Sequence, residues 1–255
     1  MKNINIEVTI ERRVGKIVLN RPEVRNAINP EMISELIMTL ETLAKDQEIS
    51  ALVVRGKGGN FSAGADLKWL KESGSKTIDA NLAESKLISD LMEAFYQFPA
   101  PVISVAEGAV FGGALGILGC SDWVFSSSNS SFGFSEVRLG LAPAIIMPYV
   151  QQRCKSIKIK QFMLTGQSFS AADALNAGLT DYVLQPVELV EELGKLIQTL
   201  SALPLNALRE IRRLWRITLS TGPEKSSDIC IDSLSKLKQS PEAQTLLSDF
   251  LNKKR

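Results

Sequence analysis

Apolar and polar residues alternate at the start of the chain, at Ile6, Val8 and Ile10 and again at Val14, Ile17, Val18 and Leu19, and the break at residues 12–15 predicts a hairpin. From Ile33 the spacing changes to three and four, through Leu36, Ile37, Leu40, Leu43 and Ala44. That period predicts a helix over 30–44, with Asn29 as its N-cap and Pro30 at its first position. Continuous apolar runs at 51–54 and 102–105 read as buried strands, and strands alternating with helices favour a βαβ-type sheet. Residues 71–97 are polar, with Leu82, Leu87, Ile88, Leu91, Met92 and Phe95 spaced for one packed helical face. Further on, residues 126–131 are serine and asparagine, a surface turn by composition, and 155–164 reads as a basic helix. Ser170 caps the next helix with Asp173 at its third position, residues 183–186 return as a strand, and 187–203 is helix.

Composition narrows the chemistry. A chain of 255 residues can bury a large core and suits one generous domain or a domain with an appendage. With 29 Lys plus Arg against 28 Asp plus Glu, no global field gathers nucleic acid or anionic membrane. The basic run at 209–216 therefore reads as a solvated or inter-subunit helix face ahead of a nucleic-acid patch. Cys120, Cys154 and Cys230 are odd in number and far apart, which argues against disulfides and thiolate metal sites. No apolar run is long enough to span a bilayer and residues 1–6 lack a signal-peptide stretch, so a cytoplasmic protein is expected. The chain has no histidine, which removes Ser-His-Asp triads, Cys-His pairs and H-E-x-x-H zinc sites. Acid–base work must fall to a carboxylate, Lys, Tyr, Cys or water.

Two glycine-rich turns each follow an apolar strand and precede a helix, one around Ala65 and one at Gly112-Gly113. Amides in the first turn of a helix have no internal acceptor and sit at its positive end, so both turns suit a developing oxyanion. A packed core helix whose glycines merely allow close approach explains the second turn equally well.

The residues that carry chemistry resemble the crotonase, or enoyl-CoA hydratase/isomerase, superfamily along nearly the whole chain. Asn20-Arg-Pro, Asn26-Ala-Ile-Asn29, Phe61-Ser-Ala-Gly-Ala-Asp66, Gly108 through Asp122 and Phe132-Gly-Phe-Ser-Glu-Val-Arg-Leu-Gly140 stand in the family's order and spacing. The resemblance implies an α/β fold, a spiral of repeated ββα units over 1–195 with a C-terminal helical region over 196–255. It implies an oxyanion hole from the Ala65 and Gly113 amides, holding a thioester enolate, and Glu136 as the group that moves the proton at the substrate's α-carbon. Arg25, Ala63, Asp66, Leu67 and Gly112 would line the thioester and coenzyme A, with Phe250 and Lys253 near the adenine and 3′-phosphate. No cofactor or metal is implied beyond the coenzyme A of the substrate, and the usual assembly is a homotrimer or hexamer.

One departure stands out. The first of the two family glutamates would sit at residue 116, which is glycine. The residues around Ser135 to Ala144 and Met147-Pro-Tyr149 resemble hydratases of branched, carboxylated enoyl-CoAs, the 3-methylglutaconyl-CoA type of leucine catabolism. The expected activity is hydration of such a substrate by a single glutamate. A double-bond isomerase is the alternative from the same fold, and a non-catalytic acyl-CoA or RNA-binding protein is the alternative from another class.

Overall fold

The computed structural model describes residues 4–253, with the Lys253 side chain outside the described part. Strands β1 (Ile6–Glu11) and β2 (Val14–Leu19) form the expected antiparallel hairpin. Helix α1 (Pro30–Lys45) follows, its Asn29 side chain accepting from the Met32 amide and its Ile33, Leu36, Leu40 and Leu43 face buried. Strand β3 (Ala51–Gly56) leads to α2 (Leu67–Ser73) and α3 (Ile78–Gln97), and β4 (Val102–Ala106) to β5 (Ala109–Phe111) and α4 (Gly113–Gly119). Then come β6 (Trp123–Ser127), β7 (Ser131–Gly133), a short 3-10 turn at Glu136–Leu139, α5 (Met147–Arg153), α6 (Ile157–Thr165), β8 (Phe169–Ser170), α7 (Ala171–Asn176) and β9 (Tyr182–Leu184). The chain closes with α8 (Pro186–Ala202), α9 (Leu205–Gln239, broken at Gly222) and α10 (Pro241–Lys253).

Six strands make one sheet in the order β1-β2-β3-β4-β6-β9, parallel from β2 onward, and β5-β7-β8 make a smaller one. A bridge from Ser62 to Val110 adds a further rung to the small sheet. The chain therefore winds as a spiral, and each turn gives one strand to the large sheet, one short strand to the small sheet and then a helical segment. Two expectations are corrected here. The run at 102–105 does not feed the glycine turn directly, because the chain bends at Gly108 (φ 55°) into the three-residue strand β5, too short to be read as a separate strand. The serine stretch is a surface turn only at Ser128 and Asn129, which are exposed between β6 and β7. Ser126 and Ser127 continue β6, and the buried Ser126 and Ser130 hydroxyls donate to the Ser127 and Ala106 carbonyls, so small hydroxyls that find acceptors inside mimic a loop composition.

One face of the large sheet is covered by α1, α3 and α4 and the other by α8, whose Leu189, Leu193, Leu196 and Leu200 pack on Val53, Ile103, Val105 and Phe125. The boundary expected at 195/196 falls inside this helix. Within the basic run at 209–216, Arg212 is buried and Arg209 half-buried, contrary to the solvated reading, while Arg213 and Trp215 are exposed. Arg212 is 6% exposed and forms an ion pair with Asp122 at 2.7 Å, while its remaining nitrogens donate to the Phe95, Tyr96, Phe98 and Cys120 carbonyls at the ends of α3 and α4. A cation suits those carbonyls because both helix dipoles end there. Arg209 donates likewise to the Asp46 and Ile49 carbonyls. Replacing Arg212 by Met would leave the Asp122 carboxylate without its cation and strand several buried carbonyls, and is expected to cost about 3–5 kcal/mol in urea unfolding. A loss under about 1 kcal/mol would show that the pair is dispensable.

Candidate functional site

Three successive turns of the spiral place the candidate residues side by side. Ser62 bridges Val110, and Val110 pairs with Phe132, so these three form one row across the small sheet. Three residues beyond Ser62 is Ala65, three beyond Val110 is Gly113, and four beyond Phe132 is Glu136. Neighbouring strands lie about 4.8 Å apart, so the three segments leave the sheet together. Contacts confirm the proximity. A Cβ built on Gly112 would stand 3.4 Å from Glu136 Oε1 and 3.7 Å from the Gly64 Cα.

Hydrogen bonding fixes where the two amides point. The amides of Phe61, Ser62, Ala63, Gly64 and Asp66 all donate within the protein, whereas the Ala65 amide has no acceptor among the described residues. The Gly64 carbonyl accepts from the Ile28 amide at 2.7 Å, and in a planar trans peptide the Ala65 N–H points the opposite way, off the far side of the strand. Similarly, the Gly112 carbonyl accepts from Leu115 at 2.9 Å along α4, so the Gly113 N–H projects backward out of the helix start, also without an acceptor. Gly112 itself is held at φ 53°, ψ −124°, a conformation essentially reserved for glycine. Gly112→Ala is expected to cost about 1–3 kcal/mol in thermal unfolding and to press on the Glu136 carboxyl. A variant as stable as the parent would show that the turn relaxes freely.

Glu136 opens its 3-10 turn with Oε2 buried and unpartnered among the described residues. Burial pushes its carboxyl above the ordinary carboxylate range. Among the described residues nothing cationic is bonded to it, so no ion pair offsets the burial and the carboxyl keeps a proton more readily than an exposed one does. At Gly116 a Cβ would meet Met92 Sδ and Ile146 Cγ2 at 2.5 Å, so the place of a first glutamate is filled by apolar side chains.

The other candidates divide. Ala63 donates its amide to the Arg25 carbonyl, and Arg25 is exposed in a left-handed conformation (φ 52°), which brings both to one rim beside Ala65. Leu67 is exposed at the start of α2. Both carboxylate oxygens of Asp66 are occupied, one by the Lys68 amide and one by Arg21. Arg21 is therefore engaged within the protein, with a partner 45 residues away that no local sequence signal points to. Phe250 is half exposed on α10, and the Lys253 side chain lies outside the described residues. Among the described residues no group of three or more His, Cys, Asp or Glu side chains could hold a metal ion, and no helix is long and apolar enough to cross a membrane.

The model of the family described as enoyl-CoA hydratase/isomerase matches residues 9–255. The chain belongs to the enoyl-CoA hydratase/isomerase family. A solved enoyl-CoA hydratase from Shewanella pealeana is 31% identical and superimposes with a TM-score of 0.92, covering 98% of this chain and 94% of that one. Pseudomonas aeruginosa AtuE is 27% identical with a TM-score of 0.94, over 98% and 97% of the two chains. A trans-2-decenoyl-acyl-carrier-protein isomerase of Streptococcus mutans is 27% identical over 222 residues, 84% of this chain and 83% of that protein. Family membership makes this chain a hydratase or an isomerase of enoyl thioesters, and the mixed α/β spiral is the fold that those structures share.

Proposed function

We propose that this member of the family hydrates an α,β-unsaturated acyl-CoA through a thioester enolate, with Glu136 as its acid–base group. The observation that carries the reading is the meeting of two acceptor-free amides, Ala65 and Gly113, with a buried carboxyl that lacks a partner. The amides would bind the thioester oxygen as it gains charge, worth about 2.7–4 kcal/mol per donor. Water adds to the β-carbon, and the electron pair of the double bond moves onto that oxygen. In its protonated form, which burial favours, Glu136 delivers its proton to the α-carbon from one oxygen while its other oxygen takes a proton from the incoming water. The carboxyl leaves the cycle as it entered it, and no second acid is required.

A branched, distally carboxylated substrate such as 3-methylglutaconyl-CoA is the favoured acyl group, on the strength of the Ser135–Ala144 resemblance. Coenzyme A would run past Ala63 and Arg25. Exposed Trp215, Ile231, Leu234 and Leu251 on α9 and α10 favour assembly into a trimer or hexamer.

Isomerisation is the second reading, and one observation favours it: Met92 and Ile146 fill the place of the first family glutamate, so no second carboxylate stands there to hold a water. Glu136 would then take a proton from one carbon and return it to another. Turnover of a panel of enoyl-CoA thioesters, with and without a distal carboxylate, in ¹⁸O-labelled water separates the readings. Label in the product is expected. Unlabelled product with a shifted double bond would establish the isomerase, and binding without conversion a non-catalytic protein.

A further inference from the structure

Two segments aim the Ala65 amide. Ile28 accepts from the Asp66 amide at 2.9 Å and donates to the Gly64 carbonyl at 2.7 Å, so the peptides on both sides of Ala65 are registered against one residue. The Ile28 amide shares its peptide plane with the Ala27 carbonyl, which points the other way. That carbonyl is taken by Arg21 Nη1 at 2.6 Å, and Arg21 Nη2 donates to Asp66 Oδ2 at 2.9 Å. One guanidinium thus grips both halves of the bridge, the Ala27–Ile28 peptide on one side and the residue after Ala65 on the other.

The grip is rigid at each end. Asp66 Oδ1 caps α2 by accepting from Lys68. Arg21 is fixed through its own backbone, which donates to Asn26 Oδ1 at 2.9 Å and accepts from the Asn26 amide at 2.8 Å. Asn26 is fully buried, and its side-chain nitrogen donates to the Lys57 and Asn60 carbonyls at 2.9 and 2.7 Å. Arg21 and Asp66 are only 17% and 16% exposed, so water competes little for their charge-assisted bond.

We propose that Arg21 and Asp66 are positioning residues that aim the Ala65 amide at the thioester oxygen, and that Asp66 does not contact coenzyme A. The role rests on the oxyanion reading above. Only a planar fork serves it, because a lysine ammonium is a point donor that cannot hold the Ala27 carbonyl and the Asp66 carboxylate in fixed relative directions. Small errors of aim are costly in such a site; a displacement of about 1 Å can slow a reaction roughly a hundredfold.

The test uses butyryl-CoA carrying ¹³C at its carbonyl, a saturated thioester that binds without being hydrated, and difference infrared spectroscopy of the bound carbonyl. Wild-type protein is expected to lower the stretching frequency, and Arg21→Met, Arg21→Lys and Asp66→Asn to lose at least half of that shift. Exchange of the bound ligand's α-proton with solvent should slow by roughly tenfold to a hundredfold in the same variants, with affinity held within about threefold. Variants that melt earlier yet keep the full shift and the full exchange rate would overturn the positioning role while leaving the oxyanion hole intact. Absence of any shift in wild type would overturn the oxyanion reading and the positioning role with it. Should Arg21→Met fail to fold, Arg21→Lys, which keeps the charge and most of the stem, is read in the same way.

Discussion

Glu136→Gln should reduce turnover by at least ~10²-fold and up to ~10⁴-fold, the range for loss of a positioned proton carrier, while the affinity for acyl-CoA stays near that of wild type. Glutamine keeps the shape of the side chain, so the Gly112 turn packed against Oε1 is not disturbed. Stability supplies an independent check, with a definite sign. Burial raises the carboxyl's pKa in the folded protein, so the folded state prefers the protonated group. That preference contributes fully below the unfolded carboxylate value of about 4.3 and is lost as the pH climbs through the raised folded value. The glutamine variant cannot ionise. It should therefore be more stable than wild type at mildly alkaline pH, with a gain that fades on acidification. An inactive variant that is less stable at every pH would indicate damage to the fold, and an active one would remove Glu136 from the chemistry.

Gly116→Glu tests whether the missing first glutamate is an empty position or a rebuilt one. Met92 Sδ and Ile146 Cγ2 already stand 2.5 Å from where its Cβ must go, and Ile146 Cβ stands 2.9 Å away. Overpacking of this kind costs about 1–3 kcal/mol, and an unpaired carboxyl placed among apolar groups adds to it. The variant should unfold at markedly lower urea and gain no hydratase activity. Ile146→Ala in the same chain should recover part of the loss, more than independent effects would allow, because the two positions share one contact. A stable Gly116→Glu protein with faster hydration would mean that the single-carboxylate site is a recent loss.

The elements with strong local signals were legible in the sequence. Asn29 and Pro30 set the start of α1, and Ser170 with Asp173 made the expected capping box. The glycine turns were legible too, since glycine is the residue that φ 53° at Gly112 and φ 94° at Gly64 require. What escaped was whatever depends on distant partners. The strand β5 is three residues long and is recognisable only through its pairing with β7. Arg212 and Arg21 read as surface charges because their acceptors are carbonyls and carboxylates brought in by the winding of the chain. The serines of β6 read as a loop because composition records polarity and not whether a hydroxyl finds an acceptor inside. For the candidate site, residue identities came from the resemblance, while the reason they meet is geometric: three turns of one spiral, each leaving the small sheet at the same step.

The central claim is that Ala65 and Gly113 stabilise an enolate whose α-carbon lies within reach of Glu136. The most direct measurement follows deuterium entering the α-position of a saturated thioester such as butyryl-CoA in heavy water, by nuclear magnetic resonance, with wild-type protein and with Glu136→Gln. Wild type is expected to exchange one of the two α-protons stereospecifically and Glu136→Gln to exchange neither. No exchange by wild type, or equal exchange by both proteins, would contradict the account.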